Sequence, residues 1–418
     1  MPIRSPTRST RGRDWTRLID IHCEDVMKRI AEKLMLAAAV AGSAPFAAAC
    51  TSWMIHPSAS ASGRMLVQKC RDSRVTPLDA DIRRSRHGVK WMRIGMFKHI
   101  ALFAVNERGV VAIMNDGDDL TLKHPDKALP IKDARMWTAC AEIMRQIMDE
   151  CTTAEQAVRL VLHYGRNRIQ SARGGTMFIA DPRRGFMVDL GSGYAEVKEL
   201  TGGMIIISNC MHLPGVEEFS IKSVTGVRSD RAREANTRAE LRKRRVNGQY
   251  TVLGTIETSR LRCQPGMTEK YPCRRNSLGG CCFELDPEFP AELTTAYIAL
   301  GPQQHTVYLP TPMALEQFPK EILDSSWADM AYKFREQVGH DHRFLARFAA
   351  FEERVLAEYD QVRGEARALL KAGKKAEAVA LLTECYQRHY AEALKLLRET
   401  AEEAAKIPPE QEKVQAFL

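Results

Sequence analysis

The stretch from Cys50 to Ser73 reads CTSWMIHPSASASGRMLVQKCRDS, and it decides how the whole chain is interpreted. Two short apolar runs, Thr51–Ile55 and Arg64–Lys69, flank the small and polar residues from 58 to 63. This pattern predicts a β-hairpin whose turn lies in the Ser/Ala/Gly segment. Cys50 is then the first residue of the hairpin, and the chain returns to it near the end of the second strand.

The segment before Cys50 has the features of an export signal. Met27 is followed by two basic residues, by a short apolar run and by small residues up to Ala49. These features are typical of a secretory signal peptide, whereas a membrane-spanning helix needs a longer apolar run. We predict that translation starts at Met27, that residues 1–26 are a non-native extension, and that residues 27–49 are removed. Cleavage after Ala49 would free the α-amine of Cys50.

This interpretation places the mature protein in the periplasm or outside the cell, without stable membrane insertion once the signal is removed. A cysteine that follows small residues can instead be lipidated, which would block its amine. The leucine that usually stands three positions before a lipidated cysteine is absent, because Ala47 occupies that position. An inert cysteine in a buried helix is a further alternative.

Composition narrows the class of protein. The chain has 418 residues and is 44% hydrophobic, so it can bury a sizeable core. The net charge of +9 is modest for this length and does not indicate a nucleic-acid partner. The densest basic stretch, 222–245, also contains acidic residues and is interpreted as a solvated helix face.

The cysteine pattern does not predict a metal site. None of the eleven cysteines belongs to a CxxC…CxxC motif, so a structural zinc site is not expected. The adjacent Cys281 and Cys282 suit buried thiols of a strand. Cys263 and Cys273 could form a disulfide in an exported protein, but the sequence does not decide the pairing.

Strands and helices are interleaved from Cys50 to about Pro312, and the chain becomes helical from Trp327 onward. We therefore predict one domain over residues 50–320 and a helical extension over 321–418, in which Gly373 separates two helices of a hairpin. The predicted strands after the first hairpin are 100–105, 110–114, 176–180, 186–190, 204–208, 293–300 and 305–309. The predicted helices of the domain are 133–150, 153–164 and 228–245, and a Thr152–Glu155 capping box is expected to begin the second.

A cysteine with a free α-amine can carry out nucleophilic chemistry. A thiol attacks a carbonyl only as a thiolate, and an α-amine with a pKa of roughly 7.7–8.0 can accept its proton. If the hairpin forms, Lys69 and Asp72 return next to Cys50. Lys69 would then lower the pKa of the thiol and Asp72 would hold the ammonium form of the amine. A surface ion pair is the alternative role for these two residues.

At this point the sequence resembles a known family. The opening CTSWMI…SGRMLVQKCRDS resembles the N-terminal-nucleophile cysteine amidohydrolases, a group that includes choloylglycine hydrolases, penicillin V acylases and 6-aminopenicillanic acid acyltransferases. The resemblance continues, in the order of the family, through residues 50–312. The segments that carry it are VNERGVVAIMNDGDD, GGTMFIADPRRGFMVDL, IIISNCMHLPGVE, VRSDRAREA and CRRNSLGGCCFELD…TTAYIALGPQQHTVYLP.

The resemblance implies an α+β fold of four αββα layers and a set of site residues. Cys50 matches the nucleophile and Asp72 the carboxylate that holds its amine, while Lys69 stands where choloylglycine hydrolases carry an arginine. Asn115 matches an oxyanion-hole asparagine, although it precedes an Asp-Gly pair and could simply begin a turn. Two more matches are Asn209, as a second asparagine of the site, and Arg228, as a distal arginine. Turn and solvated-helix roles stay open for these two, and Arg231 lies on the same helix face as Arg228.

The implied activity is hydrolysis of a linear, small-molecule amide through a thioester on Cys50. Transfer of the acyl group to an amine is the first alternative, and a lipid-anchored binding protein without catalysis is the second. An interaction protein that acts through the helical tail and the basic stretch is the third. The resemblance implies no metal or cofactor, no nucleic-acid partner, and is compatible with a homo-oligomer.

Overall fold

A computed structural model describes most of the chain from Cys50 onward. The described residues are 50–73, 77–98, 100–119, 134–167, 173–191, 193–218, 220, 224–262, 270–274, 276–339 and 343–406. The predicted extension over 1–26, the predicted signal peptide over 27–49 and Cys263 lie outside them. Cys273, the other cysteine of the suggested disulfide, carries a free thiol.

A six-stranded antiparallel sheet contains the predicted hairpin. Its strand order is β10-β1-β2-β11-β12-β13, so the hairpin β1–β2 occupies an interior position. The strands are β1 (Cys50–Ile55), β2 (Met65–Asp72), β10 (Met204–Ile207), β11 (Ser277–Leu285), β12 (Thr295–Leu300) and β13 (Leu309–Pro312). The predicted hairpin is confirmed, and Cys281 and Cys282 are buried thiols of β11 as expected.

A second antiparallel sheet has seven strands in chain order, from β3 to β9. They are β3 (Asp79–Arg84), β4 (Lys90–Met96), β5 (Ile100–Asn106), β6 (Val111–Asp119), β7 (Arg173–Ala180), β8 (Gly185–Gly191) and β9 (Tyr194–Leu200). The hairpin predicted around residues 106–109 is confirmed as β5–β6. Strands β3, β4 and β9 were not predicted, since their polar and aromatic residues break a clean alternation.

Nine helices are described. The domain contains α1 (Ala134–Glu150), α2 (Ala154–Asn167), α3 (Val224–Lys243), α4 (Val252–Ser259) and the short α5 (Pro290–Leu293). The helices that follow are α6 (Lys320–Leu323), α7 (Ser326–Val338), α8 (Arg343–Lys371) and α9 (Lys375–Ala404). In the part of the chain that the structure describes, no helix is long and apolar enough to cross a membrane.

Two predicted details are wrong by a few residues. The cap of α2 uses Thr153 and Gln156: the Gln156 N–H donates to Thr153 Oγ1 at 3.3 Å, and the Thr152 N–H donates to Gln156 Oε1 at 2.7 Å. Glu155 instead pairs with Arg184. The strand expected at 305–309 begins only at Leu309.

The two sheets pack face to face between layers of helices. One large apolar cluster fills the space between the sheets and contains Met54, Val67, Phe103, Phe178 and Phe283. A second cluster joins α1 and α2 to the outer face of the seven-stranded sheet. A third joins α3, α4 and α8 to the outer face of the six-stranded sheet. These layers confirm the predicted α+β class with an αββα arrangement.

The C-terminal helices form the predicted hairpin, with Gly373 in the turn at φ +76°. Buried ion pairs attach α8 to the domain: Glu352 accepts from Arg260, and Arg363 donates to Glu284 of β11. Removing one partner of either pair would leave an uncompensated charge buried between the hairpin and the six-stranded sheet.

Candidate active site

Cys50 begins β1 and lies opposite Arg71 of β2, while Ser52 lies opposite Lys69. Side chains alternate between the faces of a strand, and directly opposed residues of an antiparallel pair share a face. These four side chains therefore point to the same side of the sheet, toward β6. The Cys50 thiol is completely buried in the 418-residue chain.

Two buried cations surround the thiol. Arg71 donates from NH1 to Cys50 Sγ at 3.1 Å, and Lys69 lies on the same face two residues earlier. Burial alone raises the pKa of the Cys50 thiol, but the charges of Lys69 and Arg71 outweigh it, so the pKa lies below the ordinary value of 9.0. The thiolate is thus favoured although it is buried.

Lys69 connects the thiol to β6. Its Nζ donates to the backbone oxygen of Met114 at 2.7 Å and to Asn115 Oδ1. Burial lowers the pKa of Lys69, and the nearby charge of Arg71 lowers it further. Asn115 Oδ1 also accepts from Ser52 Oγ at 2.7 Å, and its Nδ2 donates to the Ser208 oxygen at 3.0 Å. Asn115 therefore joins β1, β2 and the segment after β10.

The side chain of Asn209 accepts a hydrogen bond from the backbone nitrogen of Cys50. That nitrogen donates to Asn209 Oδ1 at 2.6 Å, and Arg233 donates to the same oxygen at 3.1 Å. The Asn209 Nδ2 donates to the backbone oxygen of Asp116 at 3.1 Å. Asn209 is thus fixed by three elements at the position where cleavage would create the α-amine.

Asp72 lies near the cluster but faces another partner. Its Oδ1 accepts from Ser277 Oγ at 2.5 Å, and its charge is close enough to raise the pKa of the Cys50 thiol. The buried Oδ2 has no hydrogen-bond partner among the described residues. This oxygen is the group of Asp72 that could receive an additional donor. Asp116 is the second nearby acid, with its Oδ2 at 3.9 Å from Arg71 NH1.

The structure brings one arginine of α3 to the site, and it is neither of the two that the sequence suggested. Arg228 lies on the exposed side of the helix. Arg231 is half-exposed and contacts Glu234 and the Met211 oxygen. Arg233 is buried and contacts Asn209. A sequence signal existed: Arg233 precedes the buried Thr237 and Leu241 by four and eight residues, which is the spacing of one helix face.

Arg71 and Ser52 were also missed by the sequence interpretation. The pairing of Cys50 with Arg71 follows if the turn is centred between Ser60 and Ala61, within the predicted turn segment. Counting the register from that centre would have placed Arg71, and not Lys69, opposite the cysteine. The alternation along β2 would then have placed Lys69 beside Ser52.

A separate group of residues next to this cluster could hold a metal ion. The ligand atoms of Cys210, His212 and Glu234 all lie within 4.8 Å of one another. This group differs from the Cys50 cluster, where two cations already occupy the space beside the thiol.

Fold and site together define an α+β protein of two packed antiparallel sheets whose first strand begins at a buried cysteine flanked by cations. No family model matches the chain, and no curated protein matches its sequence. Solved structures show similarity to part of the chain. A mutant and the R18L variant of conjugated bile acid hydrolase from Clostridium perfringens share 7% and 8% identity, with TM-scores of 0.37 and 0.38. Each alignment covers 60% of this chain and 89% of the hydrolase.

Penicillin V acylase from Agrobacterium tumefaciens is a third similar structure. It shares 13% identity with a TM-score of 0.34, and the alignment covers 60% of this chain and 84% of the acylase. At these identities and TM-scores no residue role is carried over to this chain.

Proposed function

We propose that the protein is a cysteine amidohydrolase of the N-terminal-nucleophile type, which hydrolyses a linear small-molecule amide. The observation that carries this proposal is the contact of Arg71 with Cys50 Sγ at 3.1 Å beside the buried Lys69. Burial ordinarily raises the pKa of a thiol, and burying two cations costs free energy. Two buried cations beside one thiol therefore indicate a site where the thiolate takes part in chemistry.

The first chemical step is attack of the thiolate on the amide carbonyl. The free α-amine of Cys50 accepts the thiol proton, and Asn209 Oδ1 orients that amine through the contact already made by the Cys50 nitrogen. An ammonium group carries more hydrogens than a peptide N–H. Asp72 Oδ2, buried and without a partner among the described residues, is a suitable acceptor for one of them.

The tetrahedral intermediate then collapses to a thioester. The C–N bond breaks, the Cys50 ammonium gives its proton to the leaving amine, and the acyl group stays on the sulfur. We assign Asn115 Nδ2 as the hydrogen-bond donor to the oxyanion. It would give up its hydrogen bond to the Ser208 oxygen and donate to the oxyanion in its place. Water then attacks the thioester and gives a proton to the Cys50 amine, the C–S bond breaks, and the carboxylic acid leaves as the amine returns the proton to the sulfur. An amine in place of water would complete acyl transfer.

Processing and export are part of the proposal. Removal of residues 27–49 would give a periplasmic or secreted enzyme with a free Cys50 amine. The test compares a chain released from a cleavable fusion with Cys50 as its first residue and a chain that retains Ala49. Both are treated with an N-acyl substrate panel and an acylating ester probe, and their intact masses are measured.

Only the chain that begins at Cys50 should turn over substrate and gain the mass of one acyl group. Matched variants are Cys50→Ala, which should not be acylated, and Cys385→Ala, which should behave as the parent. Equal turnover by the chain retaining Ala49 would contradict the role of the amine. A lipid found on Cys50 of the exported protein would favour the binding-protein alternative, and faster product formation with added amines would favour acyl transfer.

A further inference from the structure

A second cluster of reactive side chains lies beside the Asn209 segment and has no part in the chemistry above. Residues 208–213 leave β10 and run against α3, which places Cys210 and His212 next to Glu234. Cys210 and Glu234 are buried, and His212 is half-buried. Within the part of the chain that the structure describes, this is the only group of three such residues with all ligand atoms within 4.8 Å.

Two ligand-to-ligand distances in this cluster are close to those of a tetrahedral zinc site. Glu234 Oε1 lies 3.0 Å from His212 Nε2 and 3.6 Å from Cys210 Sγ. Zinc bond lengths of about 2.0–2.3 Å at tetrahedral angles separate nitrogen and oxygen ligands by about 3.3 Å, and sulfur and oxygen ligands by about 3.6 Å. An ion would require the His212 and Glu234 side chains to part by only a few tenths of an ångström.

The surrounding contacts already hold the cluster in place. Asp189 Oδ2 accepts from the backbone N–H groups of His212 and Leu213, at 2.5 and 2.8 Å. Glu234 Oε1 accepts from both the N–H and the hydroxyl of Ser208, at 2.9 Å each. A site whose ligands are fixed by neighbouring hydrogen bonds needs little rearrangement to bind a metal.

We propose that Cys210, His212 and Glu234 bind one zinc ion, with water in the fourth position. A thiolate, an imidazole and a carboxylate form a donor set that zinc accepts. The ion replaces the hydrogen shared by His212 Nε2 and Glu234, and it also displaces the thiol proton of Cys210, so binding releases protons. Arg231, which lies 3.3 Å from Glu234 Oε2 and is half-exposed, turns toward solvent when the ion enters.

The position of the ion gives it a role in positioning the candidate active site. Cys210 follows Asn209 directly in the chain, and Glu234 follows Arg233. Asn209 Oδ1 accepts from the Cys50 nitrogen, and Arg233 donates to the same oxygen. An ion bound to Cys210, His212 and Glu234 would link the segment that carries Asn209 to the helix that carries Arg233. Because the ion would bind the folded chain and not the unfolded chain, it would also stabilise the fold.

The test measures metal binding directly and does not depend on the proposed activity. The full chain is prepared with Cys50→Ala, so that the candidate nucleophile cannot act as a ligand, and residual metal is removed with a chelator. Zn²⁺ is titrated by calorimetry, and Co²⁺ is added as a spectroscopic probe of thiolate ligation. Cys210→Ser and His212→Ala remove one ligand each, while Cys385→Ser removes a buried thiol outside this cluster.

We expect one equivalent of Zn²⁺, a higher thermal midpoint with zinc, and a thiolate-to-cobalt absorption band. Cys210→Ser should abolish the band, and both ligand variants should weaken zinc binding by at least about 10-fold. Cys385→Ser should change neither. Circular dichroism checks that each variant folds, and His212→Ala decides the question if Cys210→Ser does not. Absence of stoichiometric binding, or a band that survives Cys210→Ser, would overturn the proposal.

Discussion

Two buried cysteines of this molecule have thiol pKa values shifted in opposite directions, although the one with the raised pKa has the more familiar neighbours. Cys385 of α9 lies one helical turn before His389, and His389 Nε2 lies 3.1 Å from Glu358 of α8. Cysteine, histidine and carboxylate in this order form the composition of a catalytic triad. Burial nevertheless raises the pKa of the Cys385 thiol to about 11.

The geometry explains why this histidine does not activate the thiol. Cys385 Sγ lies 3.7 Å from Nδ1 and 3.9 Å from Nε2 of His389, so it is aligned with neither nitrogen. Burial also lowers the pKa of His389, which keeps the ring neutral. Cys50 has no histidine among its described contacts, but the charges of Lys69 and Arg71 lower the pKa of its thiol. Nearby positive charge, and not the presence of a triad, distinguishes the two thiols.

The largest expected effect is loss of the Cys50 thiol. In the chain that begins at Cys50, Cys50→Ala should lower the amidase rate by about 10⁴-fold or more, because covalent catalysis is lost entirely. Cys385→Ala should leave the rate within about twofold. Steady-state rates of both variants provide the measurement, and a Cys50→Ala enzyme with parental activity would remove the distinction between the two cysteines.

The next effect concerns the charge beside the thiol. Arg71→Met should move the midpoint of Cys50 alkylation upward by about 1–3 pH units, because an adjacent opposite charge favours the thiolate by that amount. Arg71→Lys keeps the charge and should recover part of the shift. Iodoacetamide labelling followed by mass spectrometry over a pH series reports the midpoint. An unchanged midpoint in a folded Arg71→Met chain would assign the low pKa to another group.

The same pH series separates the two cysteines in the parent chain. Because the pKa of Cys50 is lowered from 9.0, its labelling should reach half of its maximum below pH 9.0. Cys385, with its pKa of about 11, should label only as the pH approaches that value. The comparison uses the chain that begins at Cys50 and peptide-resolved mass spectrometry. Simultaneous labelling of both thiols across the series would contradict the assigned difference.

The contrast between the two thiols also marks what the sequence could predict. The hairpin of β1 and β2 and the helical tail follow from local periodicity and turn residues, which the sequence displays directly. The αββα layers were expected only from the family resemblance. The contact of Cys50 with Arg71 depends on strand register, and the choice of Arg233 over Arg228 depends on which side of α3 faces the sheet. Both are settled by packing between distant segments, and a single sequence records that packing only weakly.

The smallest expected effect tests whether the Cys385 group is purely structural. His389→Ala removes a completely buried ring and its contact with Glu358, so it should lower the free energy of unfolding by about 1–3 kcal/mol. Glu358 is partly exposed and can be hydrated, which limits the loss. Amidase activity per folded molecule should stay unchanged, because the residue lies in the helical hairpin and the Cys50 cluster in the sheet. Urea unfolding and steady-state rates measure the two quantities. A selective loss of rate with normal stability would mean that the hairpin, and not only the sheets, contributes to the chemistry.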